Sequence, residues 1–289
     1  MTDVTLTSKG LRLAASVHGP HDAPALLMLH GLSMSRDTWE EAAAPLAGRW
    51  QVWTLDFRGH GHSQHAPEYA FDDYVADARA ALSAIGRPAV VVGHSLGGLV
   101  AGVLAQDADP AVRAVFLEDP PWYFSEPSEA ERSGFIPIFE MTAAWQAKVQ
   151  ASGAPLELYF ARMTTMPVPM GGVASEHFSE RHLLSHASAL QRQDPRCWGG
   201  VPADVRALLA GPAIDTARPL RCPVTVIQAD ARCGAALLDG HEARFSAANP
   251  HARMLRYGGC GHHPHRSLKY EARFREDLGT FLEGCLDRS

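Results

Sequence analysis

The sequence predicts an α/β protein: a mostly parallel sheet with helices on both faces, interrupted once by an inserted helical subdomain. Three observations predict it. Short, unbroken apolar runs at 25–29, 51–55 and 89–92 are the mark of strands buried on both faces. Such runs alternate with helix-period segments, and repeated strand–helix–strand at this spacing builds a parallel sheet. The rhythm then stops for about a hundred residues after Asp119 and resumes at Pro223, a stretch too long for a loop and too apolar for a linker.

Each element follows from local pattern. Residues 4–7 and 11–17 alternate in polarity around Lys9-Gly10, which reads as a hairpin. Residues 72–85 are helical, with Val75, Ala78, Leu82 and Ile85 on one face and Asp72 as the expected N-cap. A strand at 89–92, a helix at 96–106 and a strand at 112–117 follow. The inserted part predicts helices around 136–150, 155–163 and 176–191. Beyond it come a strand at 223–228, a helix at 236–247, a strand at 253–257 and a closing helix at 267–286. That last helix places Tyr270, Phe274, Leu278, Phe281 and Leu282 on one side.

Composition narrows the function. With 46% hydrophobic residues and a formal net charge of −6, the 289-residue chain is neither disordered nor built to attract phosphate backbones, so no nucleic-acid partner is expected. The most apolar stretch, 89–105, is broken by Gly93-His94-Ser95 and Gly97-Gly98 and is too short to span a bilayer. The five cysteines form no C-x-x-C pair, and the N-terminus lacks a signal-peptide pattern, so a reducing, cytoplasmic setting is the expectation. No metal or cofactor is expected. His60-x-His62 lacks a completing carboxylate or thiol, and His262-His263-Pro264-His265 cannot wrap three imidazoles round one ion. A homodimer is left open.

The strongest chemical signal is Gly93-His94-Ser95-Leu96-Gly97, a G-x-S-x-G placed directly after a buried strand and directly before a helix. A serine on so sharp a turn has a strained backbone, and side chains two before and two after it would clash; glycine removes both. The turn lifts the Ser95 hydroxyl clear of the sheet, beside a helix N-terminus that favours negative charge.

With three further motifs in order, the chain resembles the α/β-hydrolase fold family, in its lidded esterase and lactonase-like branch. They are Leu29-His30-Gly31, the run Asp56-Phe57-Arg58-Gly59-His60-Gly61-His62-Ser63, and Gly259-Cys260-Gly261-His262. The resemblance runs from about Ala25 to the C-terminus, the inserted segment excepted. It implies an eight-stranded α/β-hydrolase sheet, a core at 1–120 and 221–289, and a helical lid at 121–220. It implies Ser95 as nucleophile, His262 as general base, and an oxyanion hole from the backbone N–H of Leu32, or of its neighbour Ser33, and of Leu96. Arg58 and His60 are expected as structural hydrogen-bonders.

The acid departs from the family's common pattern. The strand before the last ordinarily ends in Gly-x-x-Asp, whereas here Arg232 occupies the Asp position in Val226-Ile227-Gln228-Ala229-Asp230-Ala231-Arg232. Asp119, at the end of the preceding strand, is the favoured acid, as in some lidded relatives; Asp230 is the alternative, and Glu118 a distant third. Trp122 and Phe124 are pocket candidates because they follow closely on Asp119. His30 is grouped with them, although its ring is expected chiefly to buttress its loop.

The expectation is therefore a serine hydrolase cleaving a small-molecule carboxylic ester or lactone through an acyl-enzyme. The alternative on the same fold is a cofactor-independent dioxygenase or a C–C bond hydrolase, and a non-catalytic binding protein stands behind both. Haloalkane dehalogenase and epoxide hydrolase are disfavoured, since those relatives carry Asp where this chain has Ser95.

Overall fold

Strands buried on both faces need cover on both faces, and the chain supplies it by winding helices around one sheet. The computed structural model describes residues 1–199, 204, 208 and 214–286. The strands are β1 (Thr2–Ser8), β2 (Leu11–His18), β3 (Ala25–Leu29), β4 (Gln51–Leu55), β5 (Ala89–His94), β6 (Val112–Glu118), β7 (Val224–Ala229) and β8 (Arg253–Tyr257). They form one eight-stranded sheet in the order β1-β2-β4-β3-β5-β6-β7-β8. β2 runs antiparallel to both its neighbours; β4, β3 and β5 to β8 are mutually parallel. The hairpin forms at Lys9-Gly10, with φ of 46° and 79°, the left-handed pair that matches strand twist.

The helices are α1 (Glu40–Ala43), α2 (Phe71–Ile85), α3 (Leu96–Gln106), α4 (Pro127–Arg132), α5 (Phe135–Ala151), α6 (Leu156–Thr165), α7 (Glu180–Arg192), α8 (His241–Ala248) and α9 (Glu271–Leu286). Cores lie on the two sides of the sheet. One gathers Leu27, Leu29, Val91, Leu99 and Leu117 with α2 and α3; the other gathers Met28, Val92 and Phe116 with Trp39, Phe274 and Phe281. α4 to α7 all lie between β6 and β7, where the sequence loses its rhythm. Positions 200–203, 205–207 and 209–213 of the expected 121–220 lid lie outside the described residues.

Four element starts differ from expectation; the closing helix, predicted from 267, begins at Glu271, and the other three differ for local reasons. α2 begins at Phe71, so Asp72 is inside the first turn and is not the N-cap; Asp73 instead accepts from the Ala70 N–H at 3.3 Å. α7 begins four residues later than predicted, where Ser179 accepts from the His182 N–H at 3.2 Å and caps it. The predicted 236–247 helix starts only at His241: the Ala236 and Leu237 amides are spent on Asp119, the Leu238 amide on His241 Nδ1, and Gly240 takes φ 88°.

The loop after β4 is fixed from beneath. Arg58 donates from Nε and Nη to Asp77 Oδ1 at 3.1 and 2.6 Å, and its backbone N–H donates to Asp77 Oδ2 at 3.0 Å; both side chains are buried. Asp73, 3.0 Å from Arg58 Nη1, is a second partner. Removing one side of a buried pair strands the other charge, so Asp77→Ala should lower stability by about 3 kcal/mol, the lower end of the usual range because Asp73 remains. Urea unfolding midpoints would measure it, and a loss too small to resolve would show the pair to be dispensable.

Candidate active site

The turn joining β5 to α3 carries Ser95 at φ 52°, ψ −116°, a left-handed φ that a serine holds only under constraint. The constraint is close packing on both sides. A Cβ on Gly93 would overlap the Gly97 carbonyl, and one on Gly97 would overlap the carbonyl of Leu29 in β3. The Ser95 N–H donates to the Glu118 carbonyl at 3.0 Å and the Gly97 N–H to the His30 carbonyl at 3.1 Å, which ties the turn to both neighbouring strand ends.

His262, in the loop after β8, comes to the same place. Its Nδ1 lies 2.6 Å from Asp119 Oδ2, which assigns the proton to Nδ1 and leaves Nε2 with a lone pair. Asp119 follows β6, has φ 43° and is fully buried. Its carboxylate also accepts from three backbone N–H groups: Ala229 at 3.2 Å, Ala236 at 2.7 Å and Leu237 at 3.2 Å.

Asp230 is occupied elsewhere. It receives Arg232 Nε at 3.1 Å and Nη2 at 2.9 Å, and the Gly259 N–H at 2.8 Å, and these donors hold its carboxyl well below the usual range. Among the described residues it makes no hydrogen bond to His262. Arg232, the residue that displaces the expected Asp, is the one that takes Asp230.

Glu118 turns to the other side of the sheet. It is fully buried, and its Oε1 accepts from the His265 backbone N–H at 2.8 Å and from His265 Nδ1 at 2.9 Å. His265 Nε2 lies 2.9 Å from Thr38 Oγ1, and the ring stacks on Trp39 at 4.4 Å. Burial pushes the Glu118 carboxyl well above its ordinary value and the His265 imidazole well below.

Ser95, His262, Leu32 and Leu96 line one side of a small cavity; Pro121, Phe124, Phe135, Phe139 and Ala236 close the rest. Among the described residues, the Leu32 and Leu96 N–H groups make no hydrogen bond to another group. The Leu32 carbonyl is held at 2.6 Å by both His60 Nε2 and Gln193 Nε2, the latter just beyond α7. Phe135 packs on the His262 ring at 5.1 Å and stacks on Phe139 at 5.5 Å.

Two pocket candidates do not reach the cavity. His30 is fully buried; its Nε2 accepts the Phe57 N–H at 3.1 Å, so Nδ1 carries the proton and donates to the Gly31 carbonyl at 2.8 Å. Both nitrogens are thus spent on shaping the loop. Trp122 is also fully buried, packed over Gly102 of α3 and against Phe245 of α8. Phe124 does line the cavity. Sequence reading missed Ala236, whose position depends on the Asp119 bonds, and His94. The His94 Nε2 lies 2.9 Å from the His262 carbonyl and so steadies the histidine loop; its place inside the G-x-S-x-G motif was the available signal.

The model of the α/β-hydrolase fold family matches residues 24–155. A serine hydrolase-like protein of Danio rerio is 36% identical over 111 residues, 37% of this chain and 34% of that protein. A pimeloyl-[acyl-carrier protein] methyl ester esterase of Methylococcus capsulatus is 31% identical over 158 residues, 51% of this chain and 59% of that protein. The chain therefore spans about a third to three-fifths of the length of these curated relatives. The solved enol-lactonase of Burkholderia xenovorans superposes with a TM-score of 0.70 at 18% identity, over 97% of this chain and all of that one. The fold is that of the α/β hydrolases, and the proteins this chain resembles include one named as an esterase.

Glu118 gives a pH test. Its raised carboxyl favours the folded state while protonated, so that contribution is complete below the ordinary value of 4.5 and is lost as pH rises through the folded value. Glu118→Gln is neutral throughout and lacks this loss. Wild type should therefore lose stability relative to Glu118→Gln as pH rises above the ordinary carboxylate value. Urea midpoints of both proteins would read it, and a constant gap would mean that Glu118 is ionised in the fold.

Proposed function

We propose that the chain is a serine hydrolase that cleaves a small, uncharged carboxylic ester or lactone through an acyl-enzyme, with Ser95 as nucleophile, His262 as base and Asp119 as acid. The observation that carries this reading is the 2.6 Å contact between His262 Nδ1 and the buried Asp119 carboxylate, in a cavity that also holds the strained Ser95. In the proposed reaction, His262 Nε2 takes the Ser95 proton as the hydroxyl oxygen attacks the carbonyl carbon. The resulting oxyanion is received by the Leu32 and Leu96 N–H groups at the N-terminus of α3, where the helix dipole favours negative charge. His262 then gives its proton to the leaving alkoxide. A water attacks the acyl-enzyme, loses its proton to Nε2 and restores Ser95. Asp119 keeps the ring in one orientation and stabilises the imidazolium.

Substrate class follows from the cavity. Apart from Ser95 and His262 its lining is apolar, and Phe124, Phe135 and Phe139 form an aromatic wall, which suits an uncharged acyl or aromatic group. Phe135 and Phe139 belong to α5, so the segment between β6 and β7 is proposed to act as the lid over Ser95. The name of the Methylococcus relative supports ester chemistry.

The test is hydrolysis of p-nitrophenyl esters from acetate to octanoate. Wild type should turn them over, and Ser95→Ala should cut kcat by at least about 10⁴-fold. Asp119→Asn should cost on the order of 10³–10⁴, because the ring loses its oriented tautomer, whereas Asp230→Asn should stay within a few-fold of wild type. Equal losses in the two aspartate variants would overturn the acid, and activity that survives Ser95→Ala would overturn the nucleophile. A wild type inert towards the whole series and towards simple lactones would overturn the ester reading itself.

A further inference from the structure

Away from the Ser95 cavity, three chain segments bring one imidazole and two carboxylates together. His182 comes from α7, Glu41 from α1 and Glu271 from the first turn of α9. One ligand atom of each lies within 4.8 Å of the others. None of the three has a place in the proposed chemistry.

His182 is the informative member. Its ring is 3% exposed, yet neither ring nitrogen makes a well-aligned hydrogen bond, the Arg266 backbone being its nearest polar neighbour besides Glu41. Nε2 lies 3.2 Å from Glu41 Oε2, close enough to contact but out of line for an N–H donor. A buried imidazole without a well-aligned partner is costly, since each polar group taken from water must be repaid. A lone pair held beside a carboxylate oxygen is costlier still, unless a positive charge sits between them.

Other cations nearby do not fill that role. The buried Arg266 guanidinium donates to the His182 carbonyl at 2.7 Å, not to either carboxylate. Arg181 engages Glu40 at 2.6 Å and reaches Glu41 only through Oε1, at 3.8 Å. Arg275 lies 3.5 Å from Glu271 Oε1, along the same helix. These contacts leave Glu41 Oε2 facing the imidazole.

We propose that Glu41, His182 and Glu271 bind one divalent transition cation of the zinc type, and that this ion fastens the inserted helix α7 to the body of the sheet through α1 and α9. Imidazole and carboxylate are the borderline-to-hard donors that such ions take. With metal–ligand bonds of about 2.0–2.2 Å, donors on a tetrahedral ion sit roughly 3.4 Å apart. The Glu41–His182 separation already meets that. Glu271 has to approach by rotating a side chain that is about a quarter exposed and is held only by Arg275, at 3.5 Å. Three protein ligands leave a fourth position for water. The ion's charge offsets two carboxylates and gives the orphaned ring its partner.

Sequence spacing gives no sign of this site because its ligands lie far apart along the chain. The proposal does not depend on the reaction at Ser95.

The test titrates chelator-treated full-length protein with zinc chloride, followed by calorimetry and by thermal unfolding, with cobalt(II) chloride as the visible-absorption probe. Wild type should bind one zinc ion per chain, melt higher with zinc than without, and give a cobalt spectrum of low coordination number. Glu271→Gln and Glu41→Gln keep side-chain shape at part-exposed positions, so both should fold; each should weaken zinc binding by at least about 10-fold. Ester turnover of the metal-free variants should match that of metal-free wild type. Absence of a saturable zinc site in wild type would overturn the proposal. So would binding and melting shifts unchanged in both glutamine variants, which would place the zinc on other histidines of the surface.

Discussion

The site depends on one buried carboxylate. Asp119 gathers three backbone N–H groups and one imidazole around four bonds, and so joins the end of β6, the end of β7, the segment before α8 and the loop after β8. A bare carboxylate without exposure would be very costly. Here every bond it accepts comes from an element whose position it also fixes. The delay of α8 to His241 is a visible consequence: two amides that an earlier helix start would have left unpaired are pointed at Asp119 instead. Ala236 enters the cavity wall for the same reason.

That arrangement explains how much of the site could be read beforehand. The elbow was legible because its requirement is steric and local. Gly93 and Gly97 are demanded by carbonyls that any backbone following this turn would bring close, so the pattern appears in the sequence itself. The parallel strands were legible for a similar reason, since burial on both faces leaves an unbroken apolar run. All eight strands lie within one or two residues of the segments predicted. The choice between Asp119 and Asp230 was not fully legible. It turns on which carboxylate the β7–α8 segment wraps and which one Arg232 captures, and both are matters of three-dimensional approach. Trp122 was misplaced for a related reason, and the pocket grouping of His30, beside its expected structural role, did not hold either. Proximity in sequence to a functional strand end does not decide which way a side chain points. The His30 ring is turned inward by the Phe57 N–H, and Trp122 fills the space that Gly102 leaves open.

The inserted segment is coupled to the site in two ways. Phe135 and Phe139 supply the aromatic wall, while Gln193 reaches the Leu32 carbonyl and so braces the loop whose N–H faces the cavity. In the proposed reaction a displacement of α7 would therefore disturb, through Gln193, the loop whose Leu32 N–H is an oxyanion donor. A metal clamp at His182 would act on the same helix from its other end. Stability of the insertion and geometry of the site are then linked through α7, with no contact between the ion and the substrate.

The histidines around Ser95 raise the question of why one of them should carry the proton. His94 stands among His262, His263 and His265, whose ring centroids lie 4.7 to 5.1 Å from its own. Burial and mutual repulsion hold His94, His263 and His265 well below the ordinary imidazole value, so each stays neutral. His265 has a carboxyl partner, but Glu118 is itself pushed towards its protonated form and offers little to an imidazolium. His265 Nε2 is also engaged by Thr38, on the side of the sheet away from the cavity. His262 differs in pairing a cavity-lining ring with a carboxylate whose charge is stabilised by three N–H donors. The surrounding neutral rings add no charge that would oppose a transient imidazolium, and His94 holds the backbone of His262 in place. In the proposed reaction, the selection of His262 as base thus rests on the partner of each ring and not on the ring itself.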